Sequence, residues 1–136
     1  AGRVWQARSV TADLVDGLEM PEMNDLHLAT VNLFVHHLSL LQLSQLFART
    51  ARLTPLFVAC DPRRGALALL GSRLLWVIGC NDVTRHDAIV SVQAGFRDSE
   101  LSTLWPRSAA WDLQEYAAGL FTHCFVARRR TPGSFP

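Results

Sequence analysis

Lysine is absent from this 136-residue chain, and all of its 13 basic residues are arginines. Twelve acidic residues balance them, which leaves a formal net charge of +1 at pH 7. A charge so close to zero, without a basic stripe along the sequence, argues against a surface that attracts nucleic acid or an anionic membrane. We therefore expect neither nucleic acid nor a membrane among the partners of this protein.

Cysteine is also scarce, and the three that occur, Cys60, Cys80 and Cys124, are widely separated. An odd number without a CxxC pair predicts neither a disulfide framework nor a metal site, which favours a reducing, cytoplasmic location. Long apolar runs are missing too, because the most apolar stretch, residues 65–79, is short and contains Arg73. No basic segment followed by an apolar one opens the sequence, so we expect no signal peptide.

The composition that remains is that of a globular protein. Hydrophobic residues make up 49% of the chain and charged residues 18%, which excludes an intrinsically disordered polymer. The length suits one domain with a core of ordinary size. We place that domain at residues 1–130 and expect the tail, residues 131–136, to be disordered.

The order of predicted elements is that of an α/β fold. A capping box, in which Ser39 is followed by Gln42, predicts that a helix begins at residue 40. Strands and helices alternate before a terminal hairpin, which is typical of the α/β class. The other predicted elements are strands over 4–10, 26–35 and 56–60, a helix over 65–78, an irregular polar segment over 80–95, a helix over 99–104, and hairpin strands over 111–117 and 120–127.

Several segments together carry a resemblance to a known family. They are residues 31–38 (VNLFVHHL), 57–64 (FVACDPRR), 83–87 (VTRHD) and 94–101 (AGFRDSEL), preceded by 11–14 (TADL). In this order they resemble the C-terminal part of a class I S-adenosylmethionine (SAM)-dependent methyltransferase of the small-molecule group. The resemblance implies a Rossmann-like sheet in the order 3-2-1-4-5-7-6 with a C-terminal antiparallel hairpin. It also implies SAM as cofactor and a small-molecule acceptor. The apolar helix predicted over 65–78 favours a phenolic or polyketide-like hydroxyl compound as that acceptor, although an apolar helix beside a sheet is usually part of the core.

The chain departs from this family in its N-terminal part. The glycine-rich loop, an acid followed by GxGxG, is absent, and so is the acid that ends the family's second strand. The resemblance therefore describes a partial methyltransferase domain whose N-terminal strands are missing. The strand near Val31 would then keep an unpaired edge, which invites homo-oligomers. The alternative function is that of a catalytically inactive, methyltransferase-like remnant that acts by association.

The resemblance assigns four residues to the cofactor. Asp13 and Leu14 correspond to the family's adenine contact after the third strand. Asn32 and Leu33 end the fourth strand, beside the methionine part of the cofactor. Each assignment competes with a simpler explanation, since Asp13 is also an ordinary loop acid and Asn32 an ordinary turn former.

Two neighbouring histidines are the candidate catalytic residues. His36 and His37 follow the strand that approaches the methyl group, and an imidazole titrates near neutral pH, as a general base requires. The competing explanation is that one packs against the helix while the other is solvated. Arg85 and His86 are assigned to the acceptor site by the resemblance, or else lie on a surface loop.

A third group of polar residues follows the predicted strand over 56–60. Asp61, Arg63 and Arg64 stand where the family contacts its substrate. The dipeptide of Asp61 and Pro62 is equally typical of a simple turn. These residues are therefore candidates for substrate contact or for turn formation.

Overall fold

A single mixed sheet organises the part of the chain that the computed structural model describes, residues 26–130. The strands lie in the order β1-β2-β4-β3, with β1 parallel to β2 and the other neighbours antiparallel. In chain order these strands are β1 (Ala29–Asn32), β2 (Leu56–Pro62), β3 (Trp111–Ala118) and β4 (Thr122–Arg129).

Helices connect these strands, and the mixed architecture confirms the predicted α/β class. The α-helices are α1 (Leu40–Leu53), α2 (Ala66–Arg73), α3 (Asp82–Ala94) and α4 (Glu100–Leu104). Short 3-10 segments follow β1 at Val35–His37 and continue α2 at Leu74–Ile78. Between residues 26 and 130, no helix combines the length and the apolar composition needed to cross a bilayer.

Two predicted features lie outside the described residues. These are the strand over 4–10, with the cofactor candidates Asp13 and Leu14 beyond it, and the tail at 131–136. Their structural roles stay predictions.

Helix α1 begins where the sequence predicts. The Ser39 hydroxyl accepts a hydrogen bond from the backbone N–H of Gln42 at 3.3 Å, and the Gln42 side chain accepts one from the Ser39 N–H at 3.0 Å. This reciprocal pair satisfies two amides that the first turn leaves without partners. The helix then turns its buried side chains, Leu43, Leu46, Phe47, Thr50 and Ala51, toward the core.

Four aromatic rings form the centre of that core. Phe47 of α1 contacts Phe57 of β2, Phe125 of β4 and Trp105, and the ring centroids within this group are 5.1–6.1 Å apart. All four side chains are almost fully buried. Tilted, edge-on and stacked contacts of this kind stabilise a core beyond the area that they bury. They fix one face of the sheet, and the candidate site lies at the end of that face.

Helix α3 occupies a segment that the sequence predicts to be irregular, and that prediction is wrong. The Asn81 side chain caps it by accepting a hydrogen bond from the Thr84 N–H at 2.8 Å. The helix ends at Gly95, which packs against β2. Only glycine fits there, because a Cβ atom would lie 2.1 Å from the carbonyl oxygen of Pro62. The helix is mostly exposed, so its apolar residues lack the periodicity that marks an amphipathic helix.

Strand β1 is shorter than predicted and is not buried on both faces. It covers Ala29–Asn32, and its residues alternate between half-buried and exposed. Leu33 ends it by adopting a left-handed backbone with φ of 52°. Because β2 is the one described strand that pairs with β1, only one of its edges is satisfied within residues 26–130.

Candidate functional site

A buried histidine–carboxylate pair lies where the two parallel strands end. Asp61, near the end of β2, is completely buried, and its carboxylate contacts Nδ1 of His36 in the 3-10 segment after β1. The same carboxylate accepts hydrogen bonds from the backbone N–H groups of Val35, at 3.4 Å, and His36, at 3.2 Å. The segment that follows β1 is thus held on the end of β2 by one side chain.

This contact determines which nitrogen of His36 is available for chemistry. A carboxylate accepts hydrogen bonds and does not donate them, so Nδ1 carries the proton and Nε2 carries the lone pair in the neutral ring. Nε2 is buried and has no hydrogen-bond partner within residues 26–130. A buried polar atom without a partner is unfavourable by about 1–3 kcal/mol. His36 therefore presents an oriented ring whose Nε2 lone pair is buried and without a partner among the described residues.

A cavity lies beside this histidine. It has a volume of about 390 Å³, within the range of small-molecule sites. Its polar walls include His36 and the ion pair of Arg64 with Glu100. The rest of the lining is mainly apolar and comprises Leu38, Leu40, Leu43, Ala94, Phe96, Thr103 and Leu104.

The second candidate catalytic residue, His37, packs on the first. The two imidazole rings have centroids 3.9 Å apart and planes inclined at 40°. His37 is exposed, and it lines a separate cavity of about 410 Å³ together with His86 of α3. The structure therefore brings His37 and His86 together. Arg85 instead forms an ion pair with Asp82 on α3, at 2.8 Å, and lines neither cavity.

The cofactor candidates that the structure describes lie at the end of β1. Asn32 and Leu33 are both exposed, and Leu33 has the left-handed backbone that ends the strand. A non-glycine residue with positive φ is uncommon, and such strain clusters at functional sites. These two residues thus offer an amide and an exposed backbone turn at the carboxyl end of a parallel strand.

A second histidine–carboxylate pair was not predicted from the sequence. Nε2 of His123 on β4 lies 2.7 Å from Oε1 of Glu115 on β3, and both side chains are almost fully buried. Glu115 also accepts hydrogen bonds from the backbone N–H groups of Leu101, at 3.0 Å, and Ser102, at 2.7 Å. Burial raises the pKa of Glu115, but the hydrogen bonds from His123, Ser102 and Leu101 outweigh it and leave this pKa below its ordinary value of 4.5.

The candidate residues Arg63 and Arg64 follow β2 and lie beside the second pair. Both line a third cavity, of about 340 Å³, whose walls include His123 and Glu115. Arg64 also lines the cavity beside His36, so its ion pair with Glu100 stands between the two spaces. The sequence singled out Asp61 as a substrate contact or turn residue after the strand predicted over 56–60; the turn is wrong, because β2 continues through Asp61 to Pro62. The sequence carried no signal for Glu115 and His123, because their importance depends on strand register.

No known protein-family model, curated protein or solved structure matches this chain. Its function therefore has to be inferred from the geometry of its own residues.

Proposed function

We propose that the chain is part of a class I SAM-dependent methyltransferase in which His36 removes a proton from a small-molecule hydroxyl. One observation carries this proposal: the buried His36 is oriented by Asp61 and has an unpartnered Nε2 beside a cavity. The pair stands at the carboxyl ends of β1 and β2. This is the edge of an open α/β sheet at which ligands bind.

The strand order supports the family. The resemblance implies an order that ends in 4-5-7-6, with the last strand inserted antiparallel between its neighbours. The described strands follow that pattern, since β1 and β2 are parallel and β4 lies between β2 and β3. We therefore interpret β1 to β4 as the second half of a Rossmann-like methyltransferase sheet.

The chemistry assigned to His36 follows from its two nitrogens. Asp61 holds the ring in the tautomer with the proton on Nδ1, and the lone pair on Nε2 accepts the proton of the acceptor hydroxyl. The ring then becomes an imidazolium, which the Asp61 carboxylate stabilises by its charge. The acceptor oxygen gains nucleophilic character while the proton rests on Nε2.

The described residues fit one corner of a cofactor site. SAM would supply a methyl group on a sulfonium, from which an acceptor oxygen can take the methyl group with the thioether as leaving group. Asn32 and Leu33 would bind its methionine end through the exposed amide and the backbone turn after β1. The adenine contact predicted for Asp13 and Leu14 lies outside the described residues.

The lining of the cavity beside His36 favours an apolar acceptor. Leucine and phenylalanine side chains surround a few polar groups, which is the usual composition of a site for a drug-sized aromatic molecule. A phenolic or polyketide-like hydroxyl compound meets both requirements, because its ring matches the apolar wall and its hydroxyl group matches Nε2. The neighbouring cavity with His37 and His86 is assigned to the rest of the acceptor.

The test is methyl transfer from labelled SAM, at high cofactor concentration, to phenols that differ in acidity. We expect H36Q to lower kcat by about 10²- to 10⁴-fold with little change in KM. The deficit should shrink as the phenol becomes more acidic, because an ionised acceptor needs no base. The control H27Q alters an exposed histidine outside the site and should match the unmodified chain.

Two results would overturn the proposal. If H36Q is as active as H27Q with every phenol, His36 is not the general base. The absence of any transfer to the panel would instead favour the inactive remnant that acts by association. One observation favours that second function: β1 has an outer edge to which no strand within residues 26–130 pairs. Analytical ultracentrifugation distinguishes the remnant from an enzyme, because a remnant that acts by association should form larger species as its concentration rises.

Cofactor binding provides a further check. The sequence has neither the glycine-rich loop nor the acid that ends the family's second strand and binds the ribose hydroxyls. Several charge-assisted hydrogen bonds to the cofactor, each of about 1.5–3 kcal/mol, are therefore missing. We expect S-adenosylhomocysteine to bind roughly a thousandfold more weakly than to a complete site. Calorimetric titration measures this, and tight binding would mean that the chain forms the pocket without that loop.

A further inference from the structure

Two cysteines face each other on the central strands of the sheet. Cys60 of β2 and Cys124 of β4 are directly opposed in the antiparallel register, and their Sγ atoms are 3.1 Å apart. Successive side chains of a strand point to opposite faces. Because Asp61 is the next residue after Cys60, the thiol pair lies on the sheet face opposite the His36–Asp61 pair.

The backbone geometry at this pair suits a covalent bond between the two sulfur atoms. Opposed residues on antiparallel strands have Cα atoms about 4.5–5.5 Å apart, and a disulfide spans Cα distances of about 4.4–6.8 Å. The two strands are therefore already at the separation that a disulfide needs.

The two thiols differ in accessibility. Cys124 is buried, with 7% of its surface exposed, whereas Cys60 is only half-buried. A reagent in solution therefore reaches Cys60 first. Cys80, just before α3, has a similar intermediate exposure and serves as a matched comparison.

We propose that Cys60 and Cys124 form a dithiol site that low-molecular-weight disulfides, of the glutathione type, oxidise to an intramolecular disulfide. This site is independent of the proposed methyl transfer, since it lies on the other face of the sheet. Disulfides in proteins of reducing compartments are usually of this transient, redox-responsive kind.

The exchange proceeds in two balanced steps. The Cys60 thiolate attacks one sulfur of the small disulfide, forms a mixed disulfide and releases the first small thiol. Cys124 then loses its proton to water and attacks the sulfur of Cys60, which breaks the mixed disulfide and releases the second small thiol. The two protein thiols lose two electrons in total, and the small disulfide gains them.

The second step is the slower one by this chemistry. Burial, together with the hydrogen bond and the charge of Cys60, raises the pKa of Cys124 to about 11, so it is a neutral thiol near pH 7. Once Cys60 is held in the mixed disulfide, its hydrogen bond and charge no longer act on Cys124. The proximity of the two sulfur atoms then offsets the small thiolate fraction, because the reaction is intramolecular.

The test is incubation of the folded 136-residue chain with excess oxidised glutathione, followed by acid quenching, alkylation, digestion without reductant and mass spectrometry. We expect a peptide pair that joins Cys60 to Cys124 and disappears on treatment with dithiothreitol. C80S should give the same linked pair. C124S should accumulate a glutathione adduct on Cys60, and C60S should give no linked pair.

Three results would overturn the proposal. A persistent glutathione adduct on Cys60 of the unmodified chain, with no linked peptide, would overturn the proposal. Modification confined to Cys80, or a disulfide between two chains, would do the same. Because the decisive measurement uses the unmodified chain, poor folding of C60S or C124S leaves it valid. A methyltransferase assay is not involved, so failure here and failure of the proposed function are distinguishable.

Discussion

Asp61 on β2 lies directly opposite His123 on β4, and each of these buried side chains is bonded to a different partner. Opposed residues share a face of the sheet, so the His36–Asp61 and Glu115–His123 pairs form one row across the end of three strands. Buried ionisable groups are tolerated only when they are paired and hydrogen-bonded. Register thus places two such pairs beside the cavities of this protein.

The first prediction concerns the carboxylate that holds the segment after β1. D61N leaves the backbone N–H groups of Val35 and His36, and Nδ1 of His36, facing a neutral amide in place of a charged acceptor. We expect the free energy of unfolding to fall by about 1–3 kcal/mol. Urea denaturation measures it. The matched control D87N alters an exposed carboxylate on α3 and should change stability little. Equal stability of D61N and D87N would contradict the role of Asp61.

The second prediction concerns pH. Because the fold lowers the pKa of Glu115 from 4.5, its carboxylate stabilises the fold above that value. This contribution is lost as the pH falls through the lowered pKa. We expect E115Q to be less stable than the unmodified chain near pH 7, with a difference that disappears in acid. Urea denaturation over a pH series measures this.

The matched control for this pH series is D82N. Its carboxylate side chain is 94% exposed, so its ion pair with Arg85 is screened by water. We expect a small and nearly constant difference from the unmodified chain. A difference for E115Q that is equally constant from neutral pH to acid would show that Glu115 titrates alike in the folded and unfolded chain.

The third prediction concerns the contact between α3 and β2. In G95A the new Cβ would lie 2.1 Å from the Pro62 carbonyl oxygen, so helix or strand must move. We expect destabilisation of about 1–3 kcal/mol or more, as for other overpacked sites. G65A is the control, since its Cβ would meet nothing within 4 Å. Thermal unfolding compares them, and a G95A chain as stable as G65A would exclude this close approach.

The fourth prediction concerns the start of α1. S39A removes the hydroxyl that accepts from the Gln42 N–H, and loss of such a cap lowers stability by about 1 kcal/mol. S44A is the control inside the same helix, where the Ser44 hydroxyl donates to the Leu41 carbonyl and alanine has the higher helix propensity. Urea denaturation should give a lower midpoint for S39A alone. The opposite order would mean that the capping box contributes nothing.

Local signals in the sequence determined the parts of the fold that depend on neighbouring residues. Ser39 and Gln42 predicted the start of α1, and the apolar run before Asp61 predicted β2. The two residues left between the strands predicted over 111–117 and 120–127 predicted the terminal hairpin. The second strand begins at Thr122 and not at 120, and Gly119 in the link has a φ of 74°. These features are encoded within a few residues, since capping, alternation and turn geometry act locally.

Only the tertiary structure decided which polar groups meet. His36 and Asp61 are 25 residues apart, and Cys60 and Cys124 are 64 apart. Their contacts depend on the register between strands, and a shift of one residue would turn each side chain to the other face. Helix α3 likewise depends on Gly95 fitting against Pro62, a contact that no local pattern announces. The sequence therefore determined the start of α1, the strand β2, the hairpin and the candidate histidines. Packing of the strands decided that His36 is the one with an oriented ring and an unpartnered Nε2.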